Sequence, residues 1–251
     1  MKNFILTLKN RIRYYLKRNK TGGFYPEMLQ ALSYEFEYMS SIDHYFFRGF
    51  AWGFYHPDHL YTYFNNECMD LRAGLRLWSK LKPRVFNTPE GPIEIPYGHG
   101  VVRSKKKFKY GYFEAELKLP EGEYSWPAFW LTGVDSWPPE IDVLEGYSDD
   151  TTTFHHGRKL QSNIHYGTKE KNFDAGAKNH FVFNVHGYNK YGVLWTPDEI
   201  SFYYNRHLVR TIKDNMEYFN QEMEVIFGCG PQRECDIGYA EMRIKSLNIW
   251  Q

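Results

Sequence analysis

The segment from residue 138 to residue 146 reads Pro138-Pro139-Glu140-Ile141-Asp142-Val143-Leu144-Glu145-Gly146. Side chains two residues apart on a β-strand share a face, so Glu140 and Asp142 point one way and Ile141 and Val143 the other. Glu145 has the wrong parity, and a regular strand would bury its carboxylate among the apolar residues at a large cost in free energy. One extra residue at 143–144, a β-bulge, would bring all three acids to one face.

The chain on both sides of this segment has the pattern of further short strands. Between Tyr110 and Leu119, apolar residues alternate with Glu and Lys, which indicates one face in the core and one face in water. Other short apolar or alternating ranges are 126–132, 139–147, 180–186, 191–196, 199–204, 206–211, 223–229 and 239–250. Turn-forming residues such as Asn205 lie between most of them. The pattern predicts an all-β sandwich or jelly roll, while residues 24–66 show no clear period and are interpreted as early strands and loops.

Composition limits the classes of function. A chain of 251 residues with 42% hydrophobic residues and a formal net charge of +1 is typical of one folded domain, which we expect to be a monomer. The charge predicts no attraction to nucleic acid, and we interpret the basic run Lys105–Lys107 as a solvated strand edge, with contact to an anionic glycan as the alternative. Cys68, Cys229 and Cys235 are expected to be free buried thiols, although a bridge between the last two is conceivable.

The first 23 residues differ from the rest. Residues 1–20 carry seven basic side chains and no acid, with apolar residues at helical spacing. Such a segment could dock on an anionic membrane surface or a particle, but we favour a solvated leader. The apolar run Phe4–Leu8 is shorter than that of an export signal, so the sequence predicts none and leaves the location open. We therefore divide the chain into a basic segment, 1–23, and a β-sandwich domain, 24–251.

Three acids on one face of a strand suit glycoside hydrolysis. Retaining glycosidases use two carboxylates about 5–5.5 Å apart, one as nucleophile and one as general acid/base. A middle acid can hydrogen-bond the nucleophile and hold the pKa values of the outer two apart. Calcium also binds clustered carboxylates, but its loops are flexible and rich in Gly and Asp, unlike this apolar strand.

The run from Glu140 to Glu145 resembles the signature of glycoside hydrolase family 16 in its six-residue, bulged form. Further similar stretches are Ser104-Lys105, Phe108–Ala115, Lys118–Pro120, Trp126–Leu131, Trp137-Pro138, His165–Gly167, Trp195–Ile200 and Ile244–Gln251. The resemblance covers about residues 60–251. It implies a jelly-roll β-sandwich of the concanavalin-like class with an open substrate cleft.

The resemblance also implies an activity. Glu140 would be the nucleophile, Glu145 the acid/base and Asp142 the residue that assists the nucleophile, in a retaining endo-hydrolase of a β-linked polysaccharide. The laminarinase-like branch, which acts on β-1,3-glucan, is the most similar; mixed-linkage glucan and galactans such as agar, porphyran and carrageenan are alternatives. A non-catalytic glycan-binding protein is the alternative from another class. No cofactor is expected to be required, although a structural calcium ion is compatible with the family.

Five residues around the acids are candidate substrate contacts. By resemblance, Trp130 and Trp137 are expected to stack on sugar rings. Trp126 fits a sugar platform and the core equally well. His165 is expected to hydrogen-bond the acids or the substrate, with a structural role as the alternative. Arg103 is the weakest candidate, because it stands outside the family's usual basic position.

Overall fold

The structure is a computed structural model, and it describes residues 30–56, 58–120, 125–146, 157–183, 187–231 and 240–251, with the backbone alone at 157–159, 179 and 181–183. The predicted basic segment 1–23 therefore lies outside the described residues. No helix within the described ranges is both long and apolar enough to cross a membrane.

The described chain forms seventeen strands and three short 3-10 turns. The first strands are β1 Gln30–Glu35, β2 Phe46–Arg48, β3 Thr62–Phe64, β4 Met69–Leu71, β5 Leu75–Thr88, β6 Gly91–Ser104, β7 Gly111–Lys118, β8 Ser125–Gly133 and β9 Glu140–Gly146. The later strands are β10 Gly157–Gly167, β11 Asn172–Asp174, β12 Lys178–Phe183, β13 Asn189–Trp195, β14 Ile200–Tyr204, β15 His207–Ile212, β16 Met223–Pro231 and β17 Ala240–Trp250. The 3-10 turns are Ile42–His44, Asn66–Cys68 and Met216–Tyr218.

The strands form two sheets that β6 joins. Sheet A has the order β15-β14-β13-β7-β17, and β17 continues to β1 at one end and to β5 at the other. Sheet B has the order β2-β6-β16-β8-β9-β10, and β10 continues to β11 and β12. The first half of β6 pairs with β5 in sheet A, and its second half pairs with β16 in sheet B. Strand β9, which carries the acids, is thus an inner strand of sheet B.

One hydrophobic core fills the space between the sheets. Phe113 and Leu117 of sheet A and Phe129, Leu131 and Ile141 of sheet B belong to the same fully buried cluster. Their alternation along each strand points the intervening residues to the opposite face of each sheet. The chain is therefore the predicted all-β jelly-roll sandwich.

The turn at Asn205 shows how local sequence sets a strand boundary. Asn205 and Arg206 both have positive φ angles, 48° and 62°. Two such residues in a two-residue loop make the turn that matches the twist of an antiparallel hairpin. Strand β14 ends directly before these two residues and β15 begins directly after them, as the sequence predicts.

The prediction of a solvated face on β7 is wrong at Glu114. Glu114 is only 2% exposed. Arg206 donates two hydrogen bonds to its carboxylate, at 2.8 and 2.9 Å, and the Tyr112 hydroxyl donates a third at 3.0 Å. These partners replace the water that the alternation pattern had assigned to this side chain.

Two of the three cysteines lie within the described chain. Cys68 is a buried free thiol, as predicted, and the buried Cys229 thiol donates to the Ala240 carbonyl at 3.7 Å. Burial raises the pKa of the Cys68 thiol to about 11, which keeps it in the unreactive, protonated form. Cys235 lies outside the described residues.

Candidate active site

Strand β9 contains the predicted β-bulge. Against β8, Phe129 faces Leu144 and Trp130 faces Asp142, so Val143 has no residue opposite it. The pairing with β10 shifts at the same place. The hydroxyl of Tyr204, which reaches across the core from sheet A, donates to the Val143 carbonyl at 3.3 Å. This hydrogen bond supplies a partner to a carbonyl at the point where the ladder is disrupted.

The bulge brings the three acids to the open face of sheet B, the face that points away from the core. Ile141, Val143 and Leu144 are fully buried in the core, whereas Glu140 and Glu145 are partly exposed. The Glu140 side chain keeps 19% of its surface in solvent. The acids are therefore within reach of a ligand that lies on this face.

Two tryptophans each hold one of the outer carboxylates. The Trp137 indole N–H donates to Glu140 Oε2 at 3.2 Å, and the Trp126 indole N–H donates to Glu145 Oε1 at 3.0 Å. Hydrogen bonds to ionisable acceptors are stronger than neutral ones and fix the orientation of the side chain. From the sequence, Trp126 fits a sugar platform and the core equally well. In the structure its half-buried ring lies on the open face of sheet B.

His165 lies beside the inner pair of acids. It stands opposite Glu140 on the neighbouring strand β10. Its Nε2 atom is 3.3 Å from Asp142 Oδ2 and 3.9 Å from Glu140 Oε1. The imidazole also tilts against the Trp137 ring, with centroids 6.0 Å apart. His165 thus lies within ion-pair distance of both acids, while its hydrogen bond to them or to the substrate stays a prediction.

Burial and mutual repulsion raise the pKa values of two of the acids. Burial raises the pKa of Glu140 well above its ordinary value, and the charge of Asp142 adds to the effect; His165 and the Trp137 hydrogen bond act in the opposite direction. Burial, followed by the charge of Glu145, raises the pKa of Asp142 well above its ordinary value, against a hydrogen bond with Glu140. Glu140 and Asp142 therefore hold protons more tightly than isolated carboxyls do.

The same side chains could in principle bind a metal ion. One ligand atom each from Glu140, Asp142 and His165 lie within 4.8 Å of one another. Two carboxylates and an imidazole suit a divalent transition metal better than calcium, which takes six to eight oxygen ligands. Trp137 donates to one oxygen of Glu140, and the three ligand atoms here are fewer than the six to eight that calcium takes.

Trp130 packs against a glycine of the neighbouring strand, next to the acids. It faces Asp142 on β9 and Ile226 on β16. A Cβ atom added at Gly228 would lie 3.3 Å from Cη2 of the Trp130 ring. The glycine therefore lets the indole lie close to the sheet, where its face can contact a sugar ring.

Arg103 shares the open face but does not reach the acids. It faces Ile226 on β16, and β16 and β8 separate its strand from β9, a distance of about 14 Å at the usual strand spacing. Its guanidinium donates to Glu224 Oε2 at 3.0 Å and lies 4.3 Å from the centroid of the Phe47 ring. Arg103 thus holds neighbouring side chains and makes no contact with the trio.

One residue that contacts this site carries no signal in the sequence. His59 sits edge-on against the Trp126 ring, with centroids 5.4 Å apart. It comes from the range 24–66, where no period was visible. Only the tertiary fold brings this range to β8, so no local signal could have found the contact.

The fold and the site together define the class of protein: a jelly-roll β-sandwich whose open face carries a bulged strand of acids flanked by tryptophans. The chain belongs to glycosyl hydrolases family 16, whose family model matches residues 61–245.

Among individual relatives, the chain is 32% identical over 163 residues to the endo-1,3-1,4-beta-glycanase EglC of Rhizobium meliloti, covering 61% of this chain and 33% of the relative. It is 32% identical over 143 residues to the keratan-sulfate endo-1,4-beta-galactosidase of Sphingobacterium multivorum, covering 53% and 32%. The chain thus spans about a third of the length of these curated relatives. The catalytic domain of an endo-1,3-beta-glucanase (laminarinase) from Thermotoga petrophila RKU-1 has the same fold, with a TM-score of 0.72, 17% identity, and coverage of 90% of this chain and 99% of that chain.

Proposed function

We propose that this protein is a retaining, endo-acting hydrolase of a β-linked polysaccharide, with Glu140 as nucleophile, Glu145 as general acid/base and Asp142 as the residue that assists the nucleophile. The observation that carries the proposal is the bulge, which brings Glu145 to the face that Glu140 and Asp142 share. A binding protein would gain nothing from acids whose proximity and burial raise their pKa values.

The proposed mechanism assigns each proton to a named side chain. Protonated Glu145 donates its proton to the glycosidic oxygen while ionised Glu140 attacks the anomeric carbon, which forms a glycosyl-enzyme and releases the first product. Glu145 then takes a proton from water, the water attacks the same carbon, and Glu140 leaves with the β configuration restored. Asp142 lies between His165 and Glu140. It shares a proton with Glu140 and so stabilises the Glu140 carboxylate as it leaves the glycosyl-enzyme.

For the substrate, we propose β-1,3-glucan. The bulged motif and the three tryptophans favour the laminarinase-like branch, and the name of the EglC relative includes β-1,3 linkages. Mixed-linkage glucan and the galactans agar, porphyran and carrageenan remain alternatives, and the similarity to a keratan-sulfate galactosidase supports that second group.

We propose that the reaction requires no metal, because two carboxylates fill both catalytic roles. Incubation with EDTA followed by gel filtration is expected to leave kcat unchanged, whether or not a structural calcium ion is present. We also propose that the protein acts as a monomer, which the elution volume of the same column measures.

The test is a reducing-sugar assay on laminarin, lichenan, agarose, porphyran and carrageenan, with wild type beside Glu140→Gln. Wild type is expected to degrade laminarin fastest, and Glu140→Gln none of the polymers. Proton NMR of the first products is expected to show the β anomer, as retention requires. Equal release of sugar by both proteins would overturn the catalytic assignment, and an initial α anomer would overturn retention.

A further inference from the structure

The edge of sheet B next to β6 carries an exposed aromatic ring in line with the acids. Phe47, on the edge strand β2, faces Arg103 on β6. Arg103 faces Ile226, Ile226 faces Trp130, and Trp130 faces Asp142. Residues directly opposite one another point to the same face of a sheet. The Phe47 ring therefore lies on the open face, about 19 Å from Asp142 across four strand spacings.

The Phe47 ring is held in place although it is exposed. It is 44% exposed, whereas its neighbour Phe46 is in the core. The Arg103 guanidinium and the Lys105 ammonium lie 4.3 and 5.2 Å from its centroid. Both cations are fixed in turn: Arg103 by buried Glu224 at 3.0 Å, and Lys105 by its hydrogen bond to the Asp43 carbonyl at 2.5 Å.

We propose that Phe47, supported by Arg103, is a distal sugar-stacking platform that binds the same polysaccharide chain several sugar units away from the bond that is cleaved. This inference rests on the proposed function, because its ligand is the chain that the acids cleave. A flat apolar ring fixed before binding loses little conformational entropy when a sugar ring stacks on it. Residue 47 precedes the part of the chain that matches the family model, residues 61–245.

The proposal gives Arg103 an indirect role. Its charge is paired with Glu224, and its plane supports the ring, so it acts as a positioning residue. Because the platform is distant from the acids, only a chain long enough to span the open face can use it. The predicted signature is therefore a dependence of catalytic efficiency on chain length.

The chain offers a matched control in Phe173 on β11. Phe173 is 43% exposed and has a cation 5.4 Å from its ring centroid, Lys171. Phe173 pairs with Tyr166, and the next pair along the strands is Asp174 with His165. Neighbouring residues of a strand point to opposite faces, and His165 shares the face of the acids. Phe173 therefore points to the other face of the sheet. Phe173→Ala thus removes an equally exposed ring, under an equivalent cation, away from the proposed path.

The experiment compares kcat/KM on the polymer that wild type degrades best with kcat/KM on the shortest oligosaccharide of the same linkage that it cleaves. The ratio of the two is expected to fall about fivefold in Phe47→Ala and Phe47→Leu, to stay at the wild-type value in Phe173→Ala, and to recover in Phe47→Trp. Phe47→Leu keeps an apolar side chain and loses only the flat face. An unchanged ratio in Phe47→Ala would overturn the platform. If the melting temperature of that variant also fell, the ring would instead serve the stability of the fold.

Failure of the proposed function gives a different result. If wild type cleaves none of the five polymers, the hydrolase assignment fails, and the platform is then tested by binding alone. Native gels containing each polymer measure the retardation of wild type, Phe47→Ala and Phe173→Ala. Weaker retardation of Phe47→Ala alone would support the platform on a binding protein, and equal retardation, or none in any protein, would overturn it.

Discussion

Glu114 and Asp142 are two buried carboxylates on the outer faces of different sheets, and their surroundings are opposite. They are 2% and 3% exposed. Glu114 on sheet A receives two hydrogen bonds from Arg206 and one from Tyr112. Asp142 on sheet B has two further acids beside it, and within the described residues no lysine or arginine lies within 4.0 Å of it.

We interpret this difference as the one between a structural carboxylate and a catalytic one. A buried charge with a hydrogen-bonded partner is part of a stable arrangement, and removing either partner leaves the other charge unpaired. A group of acids that repel one another costs stability; in the proposed mechanism it supplies a proton donor and a nucleophile on one open surface. Burial alone does not identify an active site; a buried acid whose pKa is raised by neighbouring acids is a better indication of one.

The largest expected effect tests the catalytic side of this comparison by removing one acid of the trio. Glu140→Gln, which removes the proposed nucleophile, is expected to lower kcat at least about 10⁴-fold, because removing a catalytic nucleophile leaves only binding and the surrounding polar groups. The reducing-sugar assay measures the loss, and circular dichroism checks that the variant is folded. A folded variant with more than a hundredth of wild-type activity would contradict the assignment.

The converse prediction concerns Glu114. Glu114→Gln is expected to lower the free energy of unfolding by about 3 kcal/mol, because Arg206 would keep its charge in a mostly buried position. Activity at a temperature where the variant is folded is expected to stay within about twofold of wild type, since Glu114 lies on the other sheet. Urea unfolding measures the loss. Glu116→Gln, on the same strand, is the control: its carboxylate is 3.9 Å from Lys245, both are partly exposed, and less than about 1 kcal/mol is expected.

The acids of β9 and Glu114 also show what the sequence could and could not predict. The bulge was predictable because the parity of Glu145 left only two choices, and one of them buried a carboxylate in the core. The hairpin at Asn205 was predictable because its signal is local. The burial of Glu114 was not, because its partner Arg206 is 92 residues away in the chain. An alternating pattern indicates which residues avoid the core; it does not indicate which of them meet water.

The same limit applies around the candidate active site. Trp126, Trp130 and Trp137 were found because they resemble a family motif in the same stretch as the acids. Phe47 and His59 were not found, because the range 24–66 has no period and reaches β6 and β8 only in the folded chain. Candidate residues near a motif are predictable from it, whereas those supplied by a distant segment require the structure.

A smaller effect tests whether Asp142 costs stability. Its pKa is raised in the folded state, so above its ordinary pKa the folded protein binds more protons than the unfolded chain, and stability falls as pH rises. Asp142→Asn is therefore expected to raise the melting temperature at pH 7, with a gain that shrinks as pH falls and disappears below the ordinary value of 3.8. Thermal unfolding between about pH 3.5 and pH 8 measures it.

Asp43 provides the control of opposite sign. Its hydrogen bond with Arg48 lowers its pKa, so its contribution is present above its ordinary pKa and is lost as pH falls. Asp43→Asn is expected to lower the melting temperature slightly at pH 7, since the pair is largely exposed. A loss of stability in Asp142→Asn at pH 7 would mean that the carboxylate of Asp142 is compensated as Glu114 is.

The smallest expected effect is on the pH dependence of activity. In the proposed mechanism the attack requires ionised Glu140, so we expect the acidic limb of kcat/KM to follow the pKa of Glu140 in the free enzyme. Asp142 raises that pKa, and His165 lowers it by a smaller contribution. Asp142→Asn is therefore expected to move the acidic limb to lower pH, and His165→Gln to move it to higher pH by less. If these residues merely position the nucleophile, both variants lose activity without opposite shifts of the acidic limb. Electrostatic coupling to Glu140 moves the limb in opposite directions in the two variants. Two shifts of the same sign would contradict that coupling.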